Sequence, residues 1–186
     1  MAASVLVIAC DDPLGVNATT ATQSDTLSVF AMTGTPSAFP SGYSAGTGLI
    51  SRIEPDISFD VVFDLTPDQK VRVIPARLIS PLRVILGRTE LTQQVGLQIA
   101  TETFETIARA PTRGYKRDSI VTVSPGQAVL FEVLSEVCSF QFTLSSVLYA
   151  KVVVDSIHPG SREIFFRAIR QPNCGFRSFA PGIPRN

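Results

Sequence analysis

Neither sign of charge is in excess in this 186-residue chain, where Lys plus Arg and Asp plus Glu both number 16. Without net positive charge a phosphate backbone or an anionic bilayer gains no long-range pull on the whole molecule, so nucleic-acid binding is not expected. Charged residues reach only 17 % against 45 % hydrophobic ones, which excludes an intrinsically disordered chain. No stretch approaches the roughly 20 apolar residues of a membrane-crossing helix. There is one histidine, His158, and no nucleophile-elbow sequence to single out a catalytic serine. A phosphate-cradling glycine loop with its lysine, a dinucleotide fingerprint and an RNA-reading aromatic module are all missing as well. No cofactor is expected. Repeats of solenoid period are absent, and the cysteines are only three: Cys10, Cys138 and Cys174.

What is present reads as mostly β. The length suits one domain, able to bury roughly 70 % of its unfolded surface, and 12 Gly with 13 Pro argue against a helical bundle. Residues 26–32 form a first strand, followed by a long surface loop over 33–48, rich in Gly, Pro, Ser and Thr. Over 57–65, Phe59, Val61 and Phe63 alternate with Asp60, Val62 and Asp64, the pattern of a half-buried strand with both carboxylates on its wet face. A turn at 66–69 then leads into Val71 and Val73, a hairpin in which Pro75 marks an edge or a bulge. Residues 82–86 supply another strand. Leu91, Val95 and Ile99 recur at helical spacing, but Gly96 and several Thr favour strands over 94–100 and 103–108. Pro125-Gly126 joins strands 119–123 and 128–134 as a tight hairpin. Strands 138–144, 148–157 and 163–169 follow, the last two separated by His158-Pro159-Gly160-Ser161. Two packed sheets burying Phe131, Val133, Phe140, Phe142, Val152, Val154 and Phe166 give a single antiparallel β-sandwich-like domain.

Few residues invite chemistry. Asp60 and Asp64, with Asp68 on the turn, have the chemistry to hold Ca²⁺ or to divide acid and base roles, yet a solvated strand face explains them more simply. His158 reads as a turn residue, and Asp155 is near it only in sequence. Arg113, Lys116 and Arg117 cluster around Tyr115, and Arg162, Arg167, Arg170, Arg177 and Arg185 bias the C-terminal stretch positive, opposite the acidic Asp56, Asp60, Asp64 and Asp68. That asymmetry could steer an acidic partner, but dispersed arginines also keep β surfaces soluble and edges protected. No catalytic, cofactor-binding or metal-ligating residue emerges.

The opening MAASVLVIAC ends an apolar run at Val7-Ile8-Ala9-Cys10. Read from the residues alone, 4–9 can be a buried edge strand with Cys10 as a small core side chain. The order of those four residues also resembles that around the lipidated cysteine of a bacterial lipoprotein precursor, and the whole chain is similar to small bacterial lipoproteins without an assigned activity. The resemblance implies cleavage before Cys10, diacylglycerol on its sulfur and an acylated new amino terminus. MAAS carries no Lys or Arg and the apolar run is short, as a start assigned too far downstream would produce. Residues 1–9 are then a truncated signal segment, 10–25 a polar tether, 26–179 the β domain and 180–186 a loose tail. Asn17-Ala18-Thr19 satisfies the glycan acceptor pattern, a short match that carries little weight in a bacterial chain. With Cys10 given to lipid, Cys138 and Cys174 remain for a disulfide worth about 4 kcal/mol, two buried thiols being the alternative and a metal site ranking below both. The expectation is an extracytoplasmic, membrane-anchored binding or structural protein of the bacterial envelope, with an envelope protein or polysaccharide as partner. The alternatives are an enzyme acting on envelope carbohydrate or peptide, or a subunit of an extracellular assembly.

Overall fold

A computed structural model describes residues 17–54, 59–79, 94–117, 119–135, 138 and 145–184. Cys10, the strand expected at 82–86, residues 139–144 with Phe140 and Phe142, Asp56 and Arg185 lie outside the described residues. In chain order the strands are β1 (Gln23–Phe30), β2 (Gly42–Tyr43), β3 (Ile50–Ser51), β4 (Val61–Leu65), β5 (Val71–Pro75), β6 (Val95–Ile99), β7 (Val121–Val123), β8 (Ala128–Leu134), β9 (Val147–His158) and β10 (Glu163–Gln171). They build two five-stranded antiparallel sheets, ordered β1-β10-β9-β8-β6 and β3-β2-β4-β5-β7. The architecture is the expected β-sandwich-like one.

Period-two alternation produces the core. Val129, Phe131 and Val133 of β8, Ala150, Val152 and Val154 of β9, and Ile164, Phe166 and Ala168 of β10 point inward to meet Val61, Phe63, Val71 and Val73 of the second sheet. Tyr43, Phe63, Phe131 and Phe166 fill its centre with ring centroids 5.1 to 6.4 Å apart. Each large side chain buried there stabilises the fold by roughly 1.5 to 3 kcal/mol. The outer face of the first sheet is dry as well. Tyr149 and Val153 of β9 pack outward against Phe104, Ile107, Ala110 and Phe179, which lie in segments folded over the sheet. Burial on both faces explains why β9 reads as a nearly continuous apolar run.

Several local expectations change. The strand placed at 103–108 is a turn, in which the Thr106 and Ile107 N–H groups donate to the Thr103 carbonyl; this brings Phe104 and Ile107 onto the sheet together. The loop at 33–48 is not a surface loop throughout, because β2 lies within it and carries the wholly buried Tyr43. β1 begins at Gln23, and just before it the Thr19 and Thr20 N–H groups donate to Asn173 Oδ1 while Thr22 N–H donates to the Gly182 carbonyl.

The turn at Pro125-Gly126 forms, with Gly126 at φ +86°, but it does not close a hairpin. β7 pairs with β5, and β8 pairs with β6 and β9, so the chain crosses from one sheet to the other at this turn. Turn chemistry reverses the chain without choosing its partner; Val121 and Val123 find theirs opposite Val73 and Val71. The hairpins β4–β5 and β9–β10 stand as expected, and Pro75 ends β5 beyond the three residues that β7 pairs. Cys138 and Cys174 are joined by a disulfide. Cys138, expected in a strand, lies instead in the β8–β9 connection, where its N–H donates to the Ser135 carbonyl.

Candidate functional site

The two acidic positions of the β4 segment are buried, at 2 % exposure for Asp60 and 3 % for Asp64, which corrects the expected wet face. Each has instead been wrapped by a loop. The β2–β3 connection closes on itself through Ser44 N–H to Leu49 O and Gly48 N–H to Ser44 O, and this curl turns the next amides inward. Asp60 Oδ2 accepts from Ala45 N–H at 2.7 Å, Ser44 Oγ at 3.2 Å and Gly46 N–H at 3.3 Å. Burial drives the Asp60 pKa up, and these three donors oppose it. Asp64 serves a different loop, accepting from the Thr33 N–H and hydroxyl at 3.1 and 2.8 Å, with Arg162 and Arg72 at 3.7 and 3.9 Å. The two carboxylates therefore do not converge, and Asp68 is paired on the surface with Lys70 at 2.8 Å. Among the described residues no group of three or more His, Cys, Asp or Glu could hold a metal ion.

Beside Asp60 lies a cavity of about 230 Å³. Ser44, Gly46 and Thr47 of the β2–β3 connection form one wall with Asp60. Val133 and Leu148, opposite each other on β8 and β9, form another with Ser135. Pro172 and the Cys138–Cys174 disulfide close the third. The disulfide packs directly on Leu148, so it holds the end of β10 against the β8–β9 connection at the cavity's rim. Among the described residues no hydrogen bond reaches Asp60 Oδ1. Oδ2 thus takes all three donors of the loop, and Oδ1 takes none of them.

A second buried charge secures the loop from behind. Arg170, 6 % exposed, donates to Asp25 Oδ2 at 2.8 Å, Gln23 Oε1 at 2.5 Å and the Gly46 carbonyl at 3.3 Å. Gly48, at φ +78°, leaves the space that this guanidinium occupies, and a Cβ there would overlap it. Between Arg170 and the core, the Tyr43 hydroxyl is buried without a hydrogen-bond partner, and desolvation pushes its pKa well above the usual tyrosine range.

His158 is far from all of this. Its Nδ1 meets Ser161 Oγ at 2.8 Å within its own turn, and the nine residues of β10 put roughly 26 Å between Glu163, opposite His158, and Gln171 near the cavity. Asp155 does not orient the imidazole, since Arg167 holds both its oxygens at 2.9 to 3.0 Å. No Ser-His-Asp grouping exists among the described residues. The described arginines that suggested a positive end have partners within the chain, those of Arg162 and Arg167 at the surface: Arg162 on the Thr33 carbonyl, Arg167 on Asp155 and Glu105, Arg177 on the Ala110 carbonyl. In the basic cluster, Arg117 pairs with Glu132, Tyr115 packs against Tyr149, and Lys116 bridges to Leu97 along the free edge of β6.

One buried residue escaped sequence reading. Lys151 on β9 is 3 % exposed, its Nζ donating to the carbonyls of Phe104 at 2.5 Å and Ile107 at 2.8 Å and lying over the Phe104 and Phe179 rings. Desolvation lowers its pKa, with Glu105 opposing. The available signal was a lone charge inside the apolar run 147–154, at a position whose alternate neighbours Tyr149 and Val153 are apolar. The same signal marks Asp60 and Asp64.

Compared with protein-family models, curated proteins and solved structures, the chain matches none. The geometry alone therefore carries the reading of the cavity. Asp60 is the one ionisable side chain among its described lining residues, accompanied by hydroxyls and apolar groups. Such a set can hold a ligand.

Proposed function

We propose that this chain is a lipoprotein of the bacterial envelope, anchored through acylated Cys10, whose extracytoplasmic β-sandwich has a binding or structural role. One observation carries the reading: Cys138 and Cys174 are bonded to each other, which leaves Cys10, at the end of Val7-Ile8-Ala9-Cys10, as the odd cysteine. A structural disulfide belongs to an oxidising compartment, which supports export. The binding role is supported by the cavity under the β2–β3 connection, and an envelope protein or polysaccharide supplies the partner. Two or more acyl chains, each methylene worth roughly 0.8 kcal/mol in the bilayer, make a stable anchor.

Intact-mass measurement of the protein from its native host, with membrane fractionation, tests the proposal. The expected result is an N-terminal Cys10 carrying diacylglyceryl and acyl mass in the membrane fraction, and a Cys10→Ser variant released from it. Retained Met1 without acyl mass, in the cytosol, overturns the assignment.

A further inference from the structure

The cavity's chemistry is more specific than its size. Its described walls contribute apolar surface from Val133, Leu148, Pro172 and the disulfide, and the hydroxyls of Ser44 and Thr47 stand at one side. The sole ionisable group among them, Asp60, keeps one carboxyl oxygen without a hydrogen bond from the described residues, and no Lys or Arg stands among the described lining residues. A carboxylate withdrawn from water without a counter-charge is costly, and a cation that brings its own hydrogen-bond donors relieves that cost. Arg170 does not fill this role, because it spends its donors on Asp25, Gln23 and the back of the loop.

We infer that the cavity is a binding site for a primary ammonium on a short aliphatic stem, the group carried by lysine-type side chains and by linear diamines. The ammonium donates to Asp60 Oδ1 while the stem lies along Val133, Leu148 and Pro172. At about 30 Å³ for each water-sized group, the space accepts seven or eight such groups, enough for the head and a four- or five-carbon stem. A ligand cation there also reverses the burial cost that raises the Asp60 pKa. The inference deepens the binding role proposed above. It stands apart from the anchor, because the site can be titrated whether or not Cys10 is acylated.

The test is an amide-resolved NMR titration of the full oxidised chain with n-butylammonium and, in parallel, with n-butanol, which has the same stem and no charge. Saturable shifts at Ser44, Gly46 and Thr47 are expected with the ammonium, and binding at least tenfold weaker with the alcohol. Asp60→Asn, which keeps an acceptor for the Ala45 and Gly46 amides, is expected to abolish the preference. A second variant does not touch the carboxyl: a Cβ on Gly46 meets Leu148 Cδ1 at 3.5 Å, an ordinary contact, so Gly46→Val narrows the cavity and is expected to weaken ammonium binding at least tenfold. Lysine methylamide acetylated at Nα, set against cadaverine, separates a peptide-borne side chain from a free diamine. Equal binding of alcohol and ammonium, absence of saturation, or unchanged ammonium shifts in either variant overturns the inference.

Discussion

At the Asp60 carboxyl two influences oppose each other, since burial favours the protonated form while three donors on Oδ2 favour the anion; burial is the larger. Its folded-state pKa therefore stands above the unfolded value of about 3.9. A raised acid binds its proton more tightly in the folded state, so its contribution to stability is whole below the unfolded pKa and is lost as pH rises through the folded one. Urea unfolding of the native chain and Asp60→Asn between about pH 3.5 and pH 7 checks this: the native chain's stability relative to the variant is expected to fall with rising pH. Lys151 gives a second residue-level expectation. Lys151→Met keeps the stem's bulk but leaves the carbonyls of Phe104 and Ile107 without their donor, at a cost of about 1 to 3 kcal/mol by urea unfolding. Hydrogen exchange should show the loss concentrated at Thr106 and Ile107. The sequence announced neither environment. Alternation reports which side of a strand a residue takes, and it is silent on whether a loop from elsewhere covers that side; 44–48 covers Asp60, and 103–107 covers Lys151.

The elements themselves were more legible. β4, β5, β8 and β10 follow from alternation and from turn residues at their ends, β9 from the length of its apolar run, and β6 from Gly96 and the threonines that weigh against a helix. β2 and β3, two residues each, have no period to show, and the Gly- and Ser-rich composition around them hid the buried Tyr43. Pairing was harder to read than existence. Pro125-Gly126 signals its reversal plainly, yet the strands on either side enter different sheets. Two glycines separate backbone strain from steric overlap in these connections. Gly126 has φ +86° with nothing within 4 Å of an added Cβ, so Gly126→Ala is expected to cost about 1 to 2 kcal/mol through the backbone alone. Gly48→Ala combines a similar φ with overlap on Arg170 and should cost more, with the excess reduced in an Arg170→Ala background. Thermal or urea unfolding of the three variants and of Arg170→Ala decides between the two contributions.

For the whole molecule, the covalent link spans 36 positions and joins the β8–β9 connection to the segment after β10. Restricting the unfolded chain to that extent contributes about 4 kcal/mol in the chain-entropy treatment, and Cys138→Ser with Cys174→Ser is expected to lower the unfolding free energy by about 2 to 4 kcal/mol. The pairing of β1 with β10 draws the two ends of the domain together, so that Asn173, between the cavity residues Pro172 and Cys174, receives the amides of Thr19 and Thr20. The chain running back from Thr19 thus leaves the domain beside Asn173, whose neighbours Pro172 and Cys174 line the cavity. From there to Cys10 are nine residues, about 30 Å at full stretch. A lipid on that sulfur would keep the mouth of the pocket within a few nanometres of the headgroups, where it would sample solutes crowded against the bilayer while the His158 end looked away into open fluid.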